Sequence, residues 1–207
     1  MLNEKELYTN KNAAFSAKSR GRKKSMDSDP YRNEFQRDIH RIIYSQPFRR
    51  LRHKTQVFFL PNNDHICTRI EHSLHVASAS RTVARRLGLN EDLAEAIGLG
   101  HDIGHAPFGH HGEDVLKQLA KDKGLTVTFQ HEMHGLRVVD SLAELDREPK
   151  PGLNLTYEVR DGIVSHCGED FSREIVPELN YKELESISNR RESIDALHVR
   201  RLHRKSG

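Results

Sequence analysis

Cysteine, net charge and long apolar runs are all scarce in this chain of 207 residues. Its two cysteines, Cys67 and Cys167, do not make a disulfide framework, so we expect free thiols and a reducing, cytoplasmic compartment. No apolar run is long enough to span a membrane, and the polar N-terminus lacks the pattern of a secretory signal. A formal net charge of only +3 does not indicate nucleic-acid binding. The length suits one domain with a substantial core.

Histidine, by contrast, is abundant. The chain has fourteen histidines, and nine of them lie between His65 and His134. A solvated surface can carry many histidines, but such a cluster more often marks a metal site or an acid–base site. The densest stretch, GLGHDIGHAPFGHHGED, runs from Gly98 to Asp114 and holds four imidazoles and three carboxylates. Its glycines and proline predict tight turns that let these side chains converge.

Helical signals dominate the chain, and the sequence predicts an all-α fold. Apolar residues recur at helical spacing in segments such as TRIEHSLHVASASRTVARRLG and HEMHGLRVVDSLAEL. The apolar stripe expected in the first of these consists of Ile70, Leu74, Ala77, Val83, Ala84 and Leu87. Pro47 is expected to break an earlier helix, and QVFFLPNND is predicted to be a short extended run. Residues 1–29 are predicted to be a mobile basic arm, because they are polar and end in SRGRKKSMDSDP.

His72, His101 and Asp102 are the candidate metal ligands. His72 lies within one predicted helix, and the His101–Asp102 pair lies at the end of the next. Two antiparallel helices joined by a short turn can bring such positions together. Imidazole nitrogen and carboxylate oxygen suit Mg²⁺, Mn²⁺ or another first-row divalent ion, and no thiolate is placed to form a structural zinc site. Taken alone, His72 would more often be a half-buried structural histidine, so the assignment depends on further motifs.

Five ordered motifs resemble those of the HD-domain deoxynucleoside triphosphate triphosphohydrolases, the dGTPase-like group. The motifs are RRLRHKTQVF, TRIEHSLHVA, LGHDIGHAPFGHHGE, FQHEMHGLRVV and NLTYEVRDGIVSHCGED, and the resemblance covers residues 29–170. The resemblance implies an all-α HD-domain helical bundle over residues 30–175, with a divalent ion held by His72, His101 and Asp102. It also implies the reaction, in which a dNTP and water give a deoxynucleoside and inorganic triphosphate.

The same resemblance implies catalytic roles for His110, Glu113, His131 and His105. His110 in PFGHHGE matches the family's catalytic histidine, which would protonate the leaving 5′-oxygen, and Glu113 matches its carboxylate partner. A carboxylate that holds an imidazole sets its tautomer and raises its pKa, which suits a general acid. His105 matches a position that contacts substrate phosphate or supports the site, and His131 matches another active-site histidine.

Substrate-binding residues are implied in the same way. Arg69 in TRIEH matches a phosphate-contacting arginine, and Gln56 in HKTQV matches a glutamine that binds the deoxyribose 3′-hydroxyl. Guanidinium groups bind phosphate bidentately, so Arg52 is a third candidate. For the other basic residues of RRLRHK, the sequence does not decide between a phosphate-binding role and a solvent-exposed basic face. His111 and His134 are expected to be structural or surface residues.

Three other functions compete with this one. His101 and His105 have the spacing of an HExxH zinc protease, but Asp102 stands where that site needs a glutamate, and Pro107 ends the helix at once. The second is another HD-domain phosphohydrolase, such as a phosphodiesterase or a 5′-nucleotidase. The motifs TQVF, TRIEHSL and PFGHHGE count against it, because generic HD-domain proteins need not carry them. A non-enzymatic form that binds nucleotide or regulates is the third.

One metal ligand of the family has no clear counterpart here. The family closes the metal site with an aspartate in a later ADxIAY-like motif, and this sequence shows no such block. Asp195 has the right order but different surroundings. We therefore expect an incomplete HD domain over residues 30–175, a divergent basic tail over residues 176–207 and a C-terminally shortened chain. The expected partner is the dNTP, and the sequence leaves open whether the chain forms a homo-oligomer.

Overall fold

The computed structural model describes residues 4–54, 67–125, 129–145 and 151–165. Within these ranges the chain forms no strand and eight α-helices: α1 Glu4–Leu7, α2 Glu34–Tyr44, α3 Gln46–Arg50, α4 Arg69–Arg86, α5 Glu91–Gly100, α6 Gly109–Asp122, α7 His131–Arg137 and α8 Tyr157–Val164. Short 3₁₀ turns occupy Ser16–Lys18 and Leu51–His53, and α7 continues as a π-helical turn over Val138–Leu142. The all-α prediction is confirmed, while the predicted extended run QVFFLPNND lies outside the described residues. Among the described helices, none has the length and apolarity that crossing a membrane requires.

Polar side chains set where the main helices begin. Asn33 and Gln36 form a capping box at the start of α2, and Thr68 forms another with Glu71 at the start of α4. Asn90 caps α5 by accepting a hydrogen bond from the backbone N–H of Leu93 at 3.1 Å. These caps satisfy amide groups that the first turn of a helix leaves without partners.

Pro47 acts differently from the prediction that it breaks a helix. The break comes at Ser45, which ends α2 and whose hydroxyl accepts a hydrogen bond from the backbone N–H of Phe48. Pro47 lies in the first turn of α3, where its missing N–H costs no hydrogen bond. The chain therefore changes direction at a cap, and the proline starts the next helix.

The core lies where α2, α5, α7 and α8 meet. Phe35, Ile42, Leu99, Leu136 and Ile163 are each at most 2% exposed there. Burying a side chain of this size contributes roughly 1.5–3 kcal/mol, so these few residues supply much of the driving force for assembling the bundle.

Helix α4 packs on α5 through small residues, so the predicted apolar stripe is confirmed at Ala77 and Ala84 but is wrong for its larger members Leu74, Val83 and Leu87. The buried residues of α4 are Arg69, Ser73, Ala77 and Ala84, whereas Leu74, Val83 and Leu87 are about half exposed. A Cβ added at Gly98 of α5 would lie 2.7 Å from the Cα of Ala77, so the two backbones approach closely and large side chains do not fit between them. The close approach brings the start of α4 beside the end of α5.

The N-terminal segment packs on the bundle, although the sequence predicts a mobile arm over residues 1–29. Arg22 is ion-paired with Glu34 at 2.8 Å and also with Asp38, and its side chain is only 4% exposed. Lys23 Nζ lies 2.7 Å from Asp140 Oδ2, with both side chains 2% exposed. The polar composition of the segment suggested solvent exposure because it does not show which carboxylates its basic residues meet in the fold. Their carboxylate partners come from distant helices.

Candidate active site

The three candidate metal ligands come together at the junction of α4 and α5. His72 lies in the first turn of α4, while His101 and Asp102 directly follow α5. One donor atom from each residue lies within 4.8 Å of the others. Asp102 is central, because its Oδ2 lies 4.0 Å from His72 Nε2 and its Oδ1 lies 3.3 Å from His101 Nε2. Two imidazoles and one carboxylate in this arrangement fit a divalent first-row ion or Mg²⁺.

Asp102 is held ionised at this junction. Burial opposes its ionisation, but the hydrogen bond from His105 and the charges of His101, His105 and Arg69 outweigh burial and hold the pKa of Asp102 well below its usual range. Arg69 Nη1 donates a hydrogen bond to Asp102 Oδ2 at 2.9 Å, and the arginine is only 3% exposed. The candidate phosphate-binding arginine therefore contacts a candidate metal ligand.

A tight turn connects Asp102 to α6. His105 Nε2 lies 3.1 Å from Asp102 Oδ1, so the turn folds back on the end of α5. Gly104 packs against α7, where an added Cβ would lie 2.1 Å from the carbonyl oxygen of His131. Phe108 then has a left-handed φ of 65°, and α6 begins at the next residue. The glycine and this turn bring α6 and α7 next to the candidate metal ligands.

A second titratable group consists of His105, Glu113 and His131. His131 Nδ1 donates a hydrogen bond to Glu113 Oε2 at 2.8 Å, and the rings of His105 and His131 stack with 4.0 Å between their centroids. Lys117 Nζ lies 3.0 Å from the other oxygen of Glu113. Burial raises the pKa of Glu113, but the hydrogen bonds from Lys117 and His131 reverse this and leave it lowered. Burial lowers the pKa of His105 to about 4, so this imidazole is neutral at neutral pH.

The carboxylate partnership differs from the one that the resemblance implies. Glu113 contacts His131, not His110, because the start of α6 turns Glu113 into the protein and leaves His110 exposed. His110 still lies close, with ring centroids 5.1 Å from His105 and 5.6 Å from His131. The four residues proposed as catalytic therefore form one cluster, in which Glu113 and His131 are the hydrogen-bonded pair.

Lys54 also belongs to the site, although the sequence left its role undecided. Its Nζ donates a hydrogen bond to the carbonyl oxygen of His105 at 2.6 Å. Burial lowers the pKa of Lys54, and the positive charge of Arg69 lowers it further. The signal in the sequence was its place in RRLRHK, but a basic segment of this kind does not show which side chain turns inward.

The other residues considered from the sequence do not belong to the two groups of candidate ligands that the described residues form. Gln56 lies outside the described residues. Arg52 is exposed on the turn Leu51–His53. His111 is exposed, and His134 is half-buried with its ring 5.2 Å from that of Phe129.

Comparisons with known proteins show the family of this chain. The family model described as "HD domain" matches residues 69–204, which is more than half of the chain, so the chain belongs to the HD-domain family. A deoxyguanosinetriphosphate triphosphohydrolase-like protein of Desulfatibacillum aliphaticivorans is 56% identical over 152 residues, covering 73% of this chain and 40% of the relative. Proteins of the same description match at 53% identity in Caldanaerobacter subterraneus subsp. tengcongensis, over 74% of this chain and 43% of theirs, and at 46% in Bordetella pertussis, over 84% and 44%. The chain thus spans about two fifths of the length of these relatives.

Proposed function

We propose that this protein hydrolyses a dNTP to a deoxynucleoside and inorganic triphosphate with the help of a divalent ion. Water would attack the α-phosphorus, and the bond between that phosphorus and the 5′-oxygen would break. The observation that carries the proposal is the junction of the two groups, where Asp102 of the candidate metal group lies 3.1 Å from His105 of the candidate acid–base group. A phosphate held at this junction would meet both groups at once. The descriptions of the relatives support the same substrate class.

His72, His101 and Asp102 are the residues that would hold the ion, with Mg²⁺ or Mn²⁺ as the proposed metal. A divalent ion supplies Lewis acidity toward a phosphate oxygen and toward the attacking water. The chain contributes an ionised carboxylate, because Arg69 and His105 both donate hydrogen bonds to Asp102. Hydrogen bonds to a ligating carboxylate fix its orientation, so Arg69 positions a ligand whether or not substrate is bound.

His110 is the proposed donor of the proton that the leaving 5′-oxygen needs. It lies at the exposed start of α6, on the side of the cluster that a substrate can reach. His105, Glu113 and His131 lie beneath it and complete the proposed catalytic cluster. Protonation of a poor leaving group by a positioned acid raises the reaction rate roughly 10²–10⁴-fold.

Positive charge around the site suits a triphosphate, which carries about four negative charges. Arg69 and the half-buried Lys54 lie beside Asp102, and burial and the charge of Arg69 lower the pKa of Lys54, so a further anion at this place would stabilise its charge. Arg69, Arg52 and Gln56 are proposed to bind substrate. A cytoplasmic location stays a prediction from the sequence, which leaves open whether the chain forms a homo-oligomer.

Product analysis tests the proposed reaction. Purified chain is incubated with Mn²⁺ or Mg²⁺ and each dNTP in turn, and the products are separated by anion-exchange chromatography. Intact triphosphate and a deoxynucleoside in equal amounts are expected, at whatever rate the chain turns over. Pyrophosphate with a nucleoside monophosphate would indicate another HD-domain phosphohydrolase. Nucleotide binding without any product would favour the non-enzymatic alternative.

A further inference from the structure

We propose that His105, Glu113 and His131 form a second divalent-cation site, separate from the group of His72, His101 and Asp102. Each of the three residues offers one donor atom, and these atoms lie within 4.8 Å of one another. All three residues are buried, with exposed fractions of 4%, 4% and 9%. Two imidazole nitrogens and one carboxylate oxygen suit Mn²⁺, Zn²⁺ or another first-row ion.

The second ring nitrogen of His105 is an independent observation that points to a ligand. Its Nε2 faces Asp102 Oδ1 at 3.1 Å, so the N–H on Nε2 is the hydrogen that this carboxylate accepts. Nδ1 is then the ring nitrogen that can offer a lone pair to an ion. Nδ1 is buried, and it makes no hydrogen bond to any of the described residues. A metal-ligating histidine characteristically donates its other N–H to a carboxylate, and His105 already does so.

His131 and Glu113 are placed to complete the site. The stacked rings hold His131 beside His105 at 4.0 Å, and Glu113 Oε2 lies 2.8 Å from His131 Nδ1. A bound cation would take the place of the proton that this imidazole and this carboxylate share, because metal ligands bind in their deprotonated forms. Glu132 adds negative charge on the far side of the same ring, with its Oε1 3.4 Å from His131 Nε2.

Lys117 is the described cation that competes for Glu113. Its Nζ lies 3.0 Å from Glu113 Oε1, but the lysine side chain is 43% exposed. An exposed side chain of this length can turn toward solvent when a divalent ion binds. Removing the ammonium group should therefore strengthen cation binding at this site without touching any of its ligands.

Metal stoichiometry tests the second site in the full 207-residue chain. Mn²⁺ is titrated in, the free ion is counted by electron paramagnetic resonance, and circular dichroism verifies that each variant is folded. We expect the near-isosteric Glu113→Gln and also His131→Ala to bind one ion fewer per chain than the wild type. His111→Ala, which changes an exposed neighbouring histidine, should bind as many as the wild type. Lys117→Ala should bind the same number, with an affinity at this site about two- to fivefold higher, as expected for removing an exposed ion pair.

Either of two results would overturn the second site. One is equal stoichiometry in the wild type, Glu113→Gln and His131→Ala, and the other is loss of an ion in His111→Ala as well. If a variant is not folded, Mn²⁺ anomalous diffraction from wild-type crystals decides, since a peak among the three donor atoms supports the site and its absence rejects it. The second site and the proposed hydrolysis can be rejected independently. If the chain releases triphosphate but binds only one ion, only the second site is rejected. Two ions without triphosphate release would reject only the hydrolysis.

Discussion

Glu113 accepts a hydrogen bond from His131, and His110, three residues earlier in sequence, contacts the same cluster from its exposed side. The distance from His131 Nδ1 to Glu113 Oε2 is 2.8 Å. The pair connects α6 to α7, and few other residues of α6 are buried. This contact therefore fixes where the start of α6 lies, and with it the position of His110 beside His105 and His131.

His110→Ala should lower turnover roughly 10²–10⁴-fold, the usual effect of losing a general acid. Its bound metal should stay at the wild-type level, because His110 is not part of either group of candidate ligands. Steady-state kinetics of triphosphate release and metal analysis of the purified variant measure the two effects. His111→Ala is the matched control and should keep wild-type turnover. Loss of metal from His110→Ala would make this histidine a ligand and overturn the division of roles.

The number of protein ligands should limit the affinity of the first metal site. The group of His72, His101 and Asp102 supplies three ligands, and an ion held by three is more exposed to water than one held by four. Asp195, which lies outside the described residues, is the sequence candidate for a fourth ligand. We expect weak Mn²⁺ binding at this site and little turnover unless Asp195 or a partner chain supplies it.

Calorimetric titration of Mn²⁺ into Glu113→Gln, with and without Asp195→Asn, measures the affinity of the first site, because Glu113→Gln removes a ligand of the proposed second site. Weak binding in both agrees with a three-ligand site. Tight binding that is lost in the double variant would show that Asp195 is the fourth ligand. Tight binding in both would contradict the prediction, because neither the missing motif nor Asp195 would then matter.

Gly104→Ala should destabilise the fold by about 1–3 kcal/mol, the usual cost of forcing extra volume into a packed site. The added Cβ would lie 2.1 Å from the carbonyl oxygen of His131, so α7 or the turn after α5 has to move. The displacement should also lower turnover, since Asp102 and His105 flank this glycine. Chemical denaturation and kinetics measure both effects.

Gly135→Ala is the control for this substitution. Its Cβ would meet its nearest neighbours at an ordinary 3.6 Å, and alanine favours a helix, so its stability should equal or exceed that of the wild type. Equal stability in both variants would show that the close contact at Gly104 does not constrain the turn.

Asp140→Ala should cost about 3–5 kcal/mol, because it removes the carboxylate between two buried cations. Arg160 contacts both oxygens of Asp140, at 2.7 and 2.8 Å, and Lys23 lies 2.7 Å from one of them. The loss should free Lys23 from the π-helical turn Val138–Leu142 and make residues 19–24 more sensitive to protease. Urea denaturation and limited proteolysis test the two parts.

Glu91→Gln serves as the control for Asp140→Ala. It removes ion pairs with the partly exposed Arg81 and the largely exposed Arg85, which should change stability by no more than about 1 kcal/mol. A cost of this small size in Asp140→Ala as well would mean that the ion pairs of Asp140 with Lys23 and Arg160 contribute little to the fold.

The helical class and the candidate metal ligands could be predicted from the sequence because both depend on local patterns. Apolar spacing and caps such as Asn90 act within a few residues, and they define helices wherever the rest of the chain lies. His72 and His101–Asp102 were recognised because a motif preserves the order and kind of ligands along the chain. The same local information left Lys54 undecided, since any residue of a basic segment can turn inward or outward.

Only the tertiary structure decided which distant groups are partners. Glu113 contacts His131 because the turn around Gly104 brings α6 against α7, and no spacing in PFGHHGE encodes that approach. Large apolar residues of α4 stay exposed because α5 comes too close for them, and Arg22 is buried because Glu34 and Asp38 neutralise it from another helix. The sequence shows which interactions each side chain can make. The free energy of burying a charge or a methyl group, however, depends on the groups that pack against it, and only the folded chain determines which groups those are.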